Sequence, residues 1–328
     1  MASLQAILAV TIPFFALVLL GFLAARAHAL PESAIPGLNG FVLYFALPCM
    51  LFRFGASLPV KQVLNPIVLV VYLACALIIV FGTIAATRSE RVHLKDAAFG
   101  ALTAGFPNTG FMGVPLLAAL LGPAAAGPVI TTILVDMLFT SSLCIALAQA
   151  HHGGPSPGAT VARSLRGAVT NPLPWAIALG MFASVSGIVL PGPLETIIKM
   201  LADAAAPVAL FTIGAVLWRA AAHVHNRTPV ELYLPVALIK LIVHPLLVFV
   251  LGWSAMQLGA PLTQFNLTVL VLAAALPSAS TVSLLAERYG ADNGRVTRII
   301  VMSTALAFVT FSLLAWLVDA IQQSAVIP

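Results

Sequence analysis

Phe106-Pro107-Asn108-Thr109-Gly110-Phe111-Met112-Gly113-Val114-Pro115 lies in the middle of a hydrophobic stretch, Lys95–Leu121, long enough to cross a bilayer. A counterpart, Leu276-Pro277-Ser278-Ala279-Ser280-Thr281, interrupts the stretch Gln264–Ala286, with its proline 170 positions after Pro107. A proline in mid-helix removes one backbone hydrogen bond and clashes with the preceding turn. At membrane depth the freed polar groups survive only against protein or a water-filled cavity. For a single span a simple packing bend explains such a proline equally well. Two broken spans at matching places argue instead for a transporter built from repeats, with a cavity at the breaks. Gly105, Gly110 and Gly113 flank Pro107 and let the backbone open and approach another helix closely.

The rest of the chain fits that reading. Of 328 residues, 61% are hydrophobic and 8% charged, too little polar surface for a soluble globule. Runs poor in charge recur at Leu4–Ala25, Ile35–Phe54, Asn65–Thr87, Lys95–Leu121, Pro128–Gln149, Asn171–Leu190, Leu194–Trp218, Glu231–Gln257, Gln264–Ala286 and Val296–Ile321. The expected fold is therefore an all-α polytopic membrane protein with ten transmembrane helices. The first run has no basic residue ahead of it and exceeds a signal-peptide h-region, so it reads as a retained helix.

The positive-inside rule sets the expected orientation. With the N-terminus outside, the cytoplasmic connections hold Arg26, Arg88, Arg91, Lys95, Arg163, Arg166, Arg219, Arg227, Arg288, Arg295 and Arg298, eleven of the 15 lysines and arginines. Arg53, Lys61 and Lys199 remain outside, and Lys240 lies within a span. Both termini are expected on the extracytoplasmic side, in a bacterial inner membrane. The net charge of +5 then belongs to inner loops facing lipid headgroups, not to nucleic-acid binding. Cys49, Cys75 and Cys144 fall inside spans at no metal-ligand spacing and read as small apolar packing residues. His151 and His152 belong to a solvated linker rather than a metal site.

The polar segment 151–170, rich in glycine and proline, divides the chain into residues 1–150 and 171–328, each with five spans. An odd number per half gives the halves opposite orientations, so they form two inverted five-helix repeats in which broken helices 4 and 9 cross. Past each break a new half-helix begins, and its unpaired N–H groups and positive dipole end suit a carboxylate. The candidate substrate-binding residues are Pro107, Asn108, Thr109 and Gly110 at the first break, and Pro277, Ser278, Ser280 and Thr281 at the second. Asn39, near the start of the second span, is a further cavity-facing candidate. A helix-capping role is the structural alternative for Asn108.

Ionisable residues inside spans are costly and by default functional candidates. Asp203, Lys240 and His244 are assigned to charge balance or coupling, with His244 one turn from Lys240 and an Asp203–Lys240 pair as the structural alternative. Asp136 is assigned a structural hydrogen bond to a neighbouring helix, and Arg53 an interface anchor.

These residues carry a resemblance to the auxin efflux carrier family, which includes plant PIN-type exporters and bacterial malonate and malate carriers. The matching positions are Pro107-Asn108-Thr109 followed by Met112-Gly113-Val114-Pro115-Leu116, Asn39-Gly40-Phe41-Val42 leading to Pro48, Asn171-Pro172, Asp203 with Phe211-Thr212-Ile213-Gly214, Lys240 before Pro245, and Ala275-Leu276-Pro277. The resemblance covers nearly the whole chain. It implies a ten-helix fold similar to the bile acid sodium symporters, with a scaffold domain and a transport domain, and small organic anions as substrates.

The expected function is thus secondary transport of a mono- or dicarboxylate such as malonate or malate by alternating access. Alternatives are an indole-carboxylate exporter of auxin type and a sodium-coupled organic anion symporter. An intramembrane enzyme would need a nucleophile with its base or a metal cluster within the membrane: no span contains G-x-S-x-G, whose one match, Gly154-Pro155-Ser156-Pro157-Gly158, falls in the polar linker, and H-E-x-x-H does not occur. A channel would need a continuous pore. No cofactor or metal is expected. Protons or uncoupled transport are favoured over sodium, for which carbonyls and the hydroxyls of Thr109 or Ser280 would be the available ligands. The expected partners are a small organic anion and the bilayer, and a homodimer is a compatible assembly.

Overall fold

The computed structural model describes residues 4–150, 171–222 and 228–324. The linker 151–170, with His151, His152, Arg163 and Arg166, and also Arg227, lies outside them. The described chain is helical: α1 (Leu4–Arg26), α2 (Ala34–Ser57), α3 (Pro66–Thr87), α4a (Leu94–Gly105), α4b (Thr109–Leu121), α5 (Pro123–Gln149), α6 (Pro172–Ser186), α7 (Gly192–Ala222), α8 (Val230–Gln257), α9a (Gln264–Ala274), α9b (Thr281–Arg288) and α10 (Asn293–Ser324). Among the described residues seven helices are long and apolar enough to cross a membrane: α1, α2, α3, α5, α7, α8 and α10. The remaining three expected spans differ from continuous helices. Two are interrupted at the prolines, and the third is the shorter α6.

Sequence explains the local irregularities. Asn65 and Asn171 cap α3 and α6 by accepting hydrogen bonds from the N–H groups two residues on, each followed by a proline at the first helical position. Four helices contain a π-helical turn. Three of these, Val42–Ala46, Thr109–Gly113 and Ile239–Val243, end two residues before Pro48, Pro115 and Pro245. A proline withholds its N–H from the preceding turn, and the wider turn is how the helix accommodates the loss. The fourth, Asp136–Thr140, has no such proline and carries a buried carboxylate.

The helices pack in two groups. In one, α1 lies along α7 and α2 along α6, with α7 also against α2. The backbones meet at glycines: a Cβ on Gly21 would strike the Phe211 carbonyl, one on Gly214 the Val18 carbonyl, and one on Gly180 the Phe52 carbonyl. In the other group α3 packs on α4a and α8, α5 on α4a, and α9a on α8.

The two breaks lie against each other and settle most of their backbone accounts mutually. Asn108 N–H donates to the Pro277 carbonyl at 2.8 Å, and Ala279 N–H donates to the Phe106 carbonyl at 2.9 Å, an antiparallel bridge of extended residues. Pro107 has no N–H to offer the Thr103 carbonyl one turn earlier. The Ser278 hydroxyl supplies that bond from the other break at 2.8 Å, and the Ser303 hydroxyl of α10 accepts from Ser278 N–H at 3.2 Å.

Three substitutions test this packing. Ser278→Ala leaves the buried Thr103 carbonyl without this donor and is expected to cost about 1–3 kcal/mol, read as a lower Tm of the purified protein in detergent. Gly214→Ala, which forces α7 away from α1, is expected to lower Tm as overpacking does, by about 1–3 kcal/mol. Gly37→Ala, where the added methyl meets open space, is expected to leave Tm unchanged or raise it slightly.

Candidate functional site

A cavity of about 680 Å³ opens beside the paired breaks, within the range of small-molecule sites. Its inner end is formed by Phe106, Pro107, Asn108, Thr109, Gly110 and Phe111 from the first break and by Ala279 and Thr281 from the second. Leu43 of α2, Ile133, Met137, Ser141 and Ile145 of α5, and Asn171 and Leu173 of α6 form its sides. Leu284, Leu285, Arg288 and Tyr289 continue down α9b to its far end. The wall is mostly apolar, and Arg288 is its one charged residue among the described residues.

The polar groups at the inner end are backbone amides and neutral side chains. Among the described residues, the N–H groups of Gly110, Phe111, Ser280 and Thr281 have no hydrogen-bond partner. They stand at the starts of α4b and α9b, where helical geometry leaves such donors free. A Cβ on Gly110 would meet nothing within 4 Å, so the backbone there is open to a ligand. The Asn108 side chain makes no capping hydrogen bond, although the residue is 3% exposed. Its amide is available to the cavity, and the capping alternative falls. Thr109 is turned partly inward, its hydroxyl 3.5 Å from the Pro107 carbonyl.

Behind the breaks, on α8, sits a second polar cluster. Lys240 is fully buried, and its Nζ donates to the Ala274 carbonyl at 2.6 Å. Ala274 is the last residue of α9a, and the N–H that a continuous helix would bring to its carbonyl, that of Ser278, is engaged by Ser303. Lys240 Nζ also lies 3.2 Å from His244 Nδ1. His244 Nε2 is buried and has no hydrogen-bond partner among the described residues. Lys240 attends the C-terminal, negative end of α9a, where a cation is favoured. Asp136 faces this cluster from α5, held by Tyr72 Oη at 3.0 Å and Thr140 Oγ1 at 3.1 Å. It thus makes the interhelical hydrogen bond expected of it. The Tyr72 and His244 rings are 6.0 Å apart between centroids.

Several candidates move. Asp203 does not pair with Lys240: it lies on an exposed face of α7, bound to Lys199 Nζ at 2.8 Å and Arg53 Nη1 at 3.3 Å. The spacing of Lys199 and Asp203, one turn apart, is what brings that pair together. Arg53 is accordingly an ion-pair partner at the end of α2. Asn39 is half-buried and is not among the cavity-lining residues; Leu43, one turn on, takes that place. Pro277, Ser278 and Ser280 also do not line the cavity. Ser278, 1% exposed, has its hydroxyl committed to Thr103, so it serves the break and not the cavity. Conversely, Ser141, Arg288 and Tyr289 line the cavity without having been singled out as site residues.

Comparison with known proteins shows the family. The family model described as "Membrane transport protein" matches residues 6–315. A Rhizobium meliloti (strain 1021) protein named "Putative malonate transporter" is 30% identical over 314 residues, 94% of each chain. The "Uncharacterized transporter YfdV" of Escherichia coli (strain K12) is 27% identical over 288 residues, 85% of this chain and 87% of its own. An "Uncharacterized transporter" of Methanothermobacter thermautotrophicus is 29% identical over 324 residues, 95% of this chain and 97% of its own. With helices of membrane-crossing length, two paired helix breaks and a family match spanning almost its entire length, the chain is an integral membrane protein that belongs to the membrane transport protein family, the auxin efflux carrier family.

Proposed function

We propose that this protein is a secondary transporter of small organic anions, mono- or dicarboxylates of the malonate or malate kind, which it binds beside the crossing of α4 and α9. The observation that carries the reading is the set of unpartnered N–H groups at Gly110, Phe111 and Thr281, residues from two half-helix starts that line one cavity. Two positive dipole ends and neutral hydrogen-bond donors stabilise a carboxylate without fixing it by a full opposite charge. Pro107, Asn108, Thr109, Gly110 and Thr281 provide this end of the site. Pro277, Ser278 and Ser280 support it from the bridge.

In this reading the ten spans form two inverted repeats, residues 1–150 and 171–328, joined by the linker 151–170. The group α1, α2, α6 and α7 is the scaffold. The group carrying both broken helices is the moving part, and α2 and α6 contribute Leu43, Asn171 and Leu173 to the boundary between them. Rocking of one group past the other exposes the breaks to either side in turn. With both termini extracytoplasmic, the cavity opens towards the cytoplasm of a bacterial cell through the ends of α5, α6 and α9b.

Lys240 also enters the proposed mechanism. A tethered ammonium at the Ala274 carbonyl already neutralises the negative helix end for which a coupling cation would otherwise be recruited. Coupling to sodium is therefore disfavoured, and Lys240 with His244 and Asp136 forms the unit that balances charge or handles protons. Asp203 drops out of that unit because its surface ion pairs occupy it.

Binding is tested by thermal unfolding of the purified protein with malonate, malate, succinate and indole acetate, since a ligand of the folded state raises Tm. A shift with at least one acid is expected. Asn108→Ala, losing a hydrogen bond to a charged group worth about 1.5–3 kcal/mol, is expected to weaken that acid roughly ten- to hundred-fold. Absence of a shift with any carboxylate in the wild-type protein would overturn the organic-anion assignment. In proteoliposomes, uptake of the same acid is expected to proceed at the same rate with sodium replaced by potassium, and a collapse of uptake on that exchange would overturn the role given to Lys240.

A further inference from the structure

The far end of the cavity differs chemically from the inner end. Along α9b the lining residues are Thr281, Leu284, Leu285 and Arg288, the i, i+3, i+4, i+7 positions of one helix face. This stripe runs from a polar start, over an apolar middle, to a cation. Thr281 and Arg288 are separated by two turns, a rise of about 10 Å. Side chains of a helix lean towards its N-terminus, so the Arg288 guanidinium reaches back up the wall towards the break. Among the described residues Arg288 has neither an ion pair nor a hydrogen bond to its side chain, although Glu287 adjoins it and Asp292 lies four positions on. The remaining lining residues carry no charge that would answer it. Tyr289, its neighbour in the lining, adds a phenol.

We propose that Arg288 is the subsite for a second carboxylate, so that the site selects short α,ω-dicarboxylates over monocarboxylates. The proposal rests on the anion-site reading above: one carboxylate at the free N–H groups of the breaks, the methylene chain against Leu284 and Leu285, and the other carboxylate on the guanidinium. Arginine suits the role because its planar fork binds a carboxylate through two parallel hydrogen bonds and its charge does not titrate. Neutral donors at one end and a full charge at the other divide the work. The breaks hold any carboxylate, and Arg288 distinguishes the substrate with two.

The test measures affinity by calorimetry and thermal shift on full-length wild type, Arg288→Gln, Arg288→Lys and Asn108→Ala. The probes are malonate, succinate and glutarate, each beside its monomethyl ester, which keeps the chain and removes one charge. For the diacid bound by wild type, Arg288→Gln is expected to weaken binding about ten- to hundred-fold, as loss of a charge-assisted hydrogen bond does. Its monoester is expected to change by less than about threefold, and Arg288→Lys to recover part of the diacid affinity. Equal losses for diacid and monoester that vanish in about 1 M salt, where charges are screened beyond about 3 Å, would reduce Arg288 to steering and overturn the proposal. Unchanged diacid affinity in Arg288→Gln, with the loss in Asn108→Ala intact, would overturn it while sparing the anion site. Absence of binding by any probe to wild type would remove both.

Discussion

Everything in this molecule that points to a site depends on two N–H groups that proline withholds. Pro107 and Pro277 each leave a turn of membrane-embedded helix without a donor, in a setting where an unpaired carbonyl costs several kcal/mol. The two breaks repair each other: one lends an N–H to Pro277, the other an N–H to Phe106 and a hydroxyl to Thr103. What neither supplies, Lys240 and Ser303 provide. The carbonyls of Thr103, Phe106, Ala274 and Pro277 are met by protein, whereas the donors at Gly110, Phe111 and Thr281 have no partner among the described residues and belong to residues lining the cavity. The proposed anion site rests on those donors.

The same division sorts the charges. The negative end of α9a meets the buried Lys240, and the starts of α4b and α9b border the cavity. Removing Lys240 from this arrangement would leave the C-terminal end of α9a and Asp136 together in a low-dielectric interior, where a cation is favoured. A side chain that cannot leave meets the requirement without an exchangeable ion. Tyr72 and Thr140 hold Asp136 at hydrogen-bonding distance, so the carboxylate is kept beside Lys240 and not in contact with it.

Much of this was legible in the sequence because proline and glycine act locally and unmistakably on a helix. The positions of both breaks, the apolar spans and the interhelical bond of Asp136 follow from residue type and neighbours. What pairs with each break does not, because Thr103 and Ser278 are 175 positions apart and only their juxtaposition makes the serine a substitute for a missing amide. Asp203 misled for a related reason: hydropathy marks a residue as lying in a span without saying whether it faces the interior or an exposed side. The i,i+4 spacing of Lys199 and Asp203 was the available signal. Arg288 was counted among the inner-loop cations, and its place on the cavity stripe is visible only once Thr281 is known to start a helix.

That placement explains how tight recognition and release are compatible in one site. A full positive charge at the crossing would hold an anion in a water-poor interior too strongly to let it go, since Coulomb attraction grows as the dielectric falls. In the proposed site, amides and an asparagine at the breaks avoid this, and the guanidinium is carried by an exposed residue two helical turns along α9b, where water weakens its pull. Under the proposed function, the group that binds on both sides of the membrane is thereby separate from the group that distinguishes one anion from another. Substrate preference can then change through residues along α9b while the paired prolines, and the fold that depends on them, stay as they are.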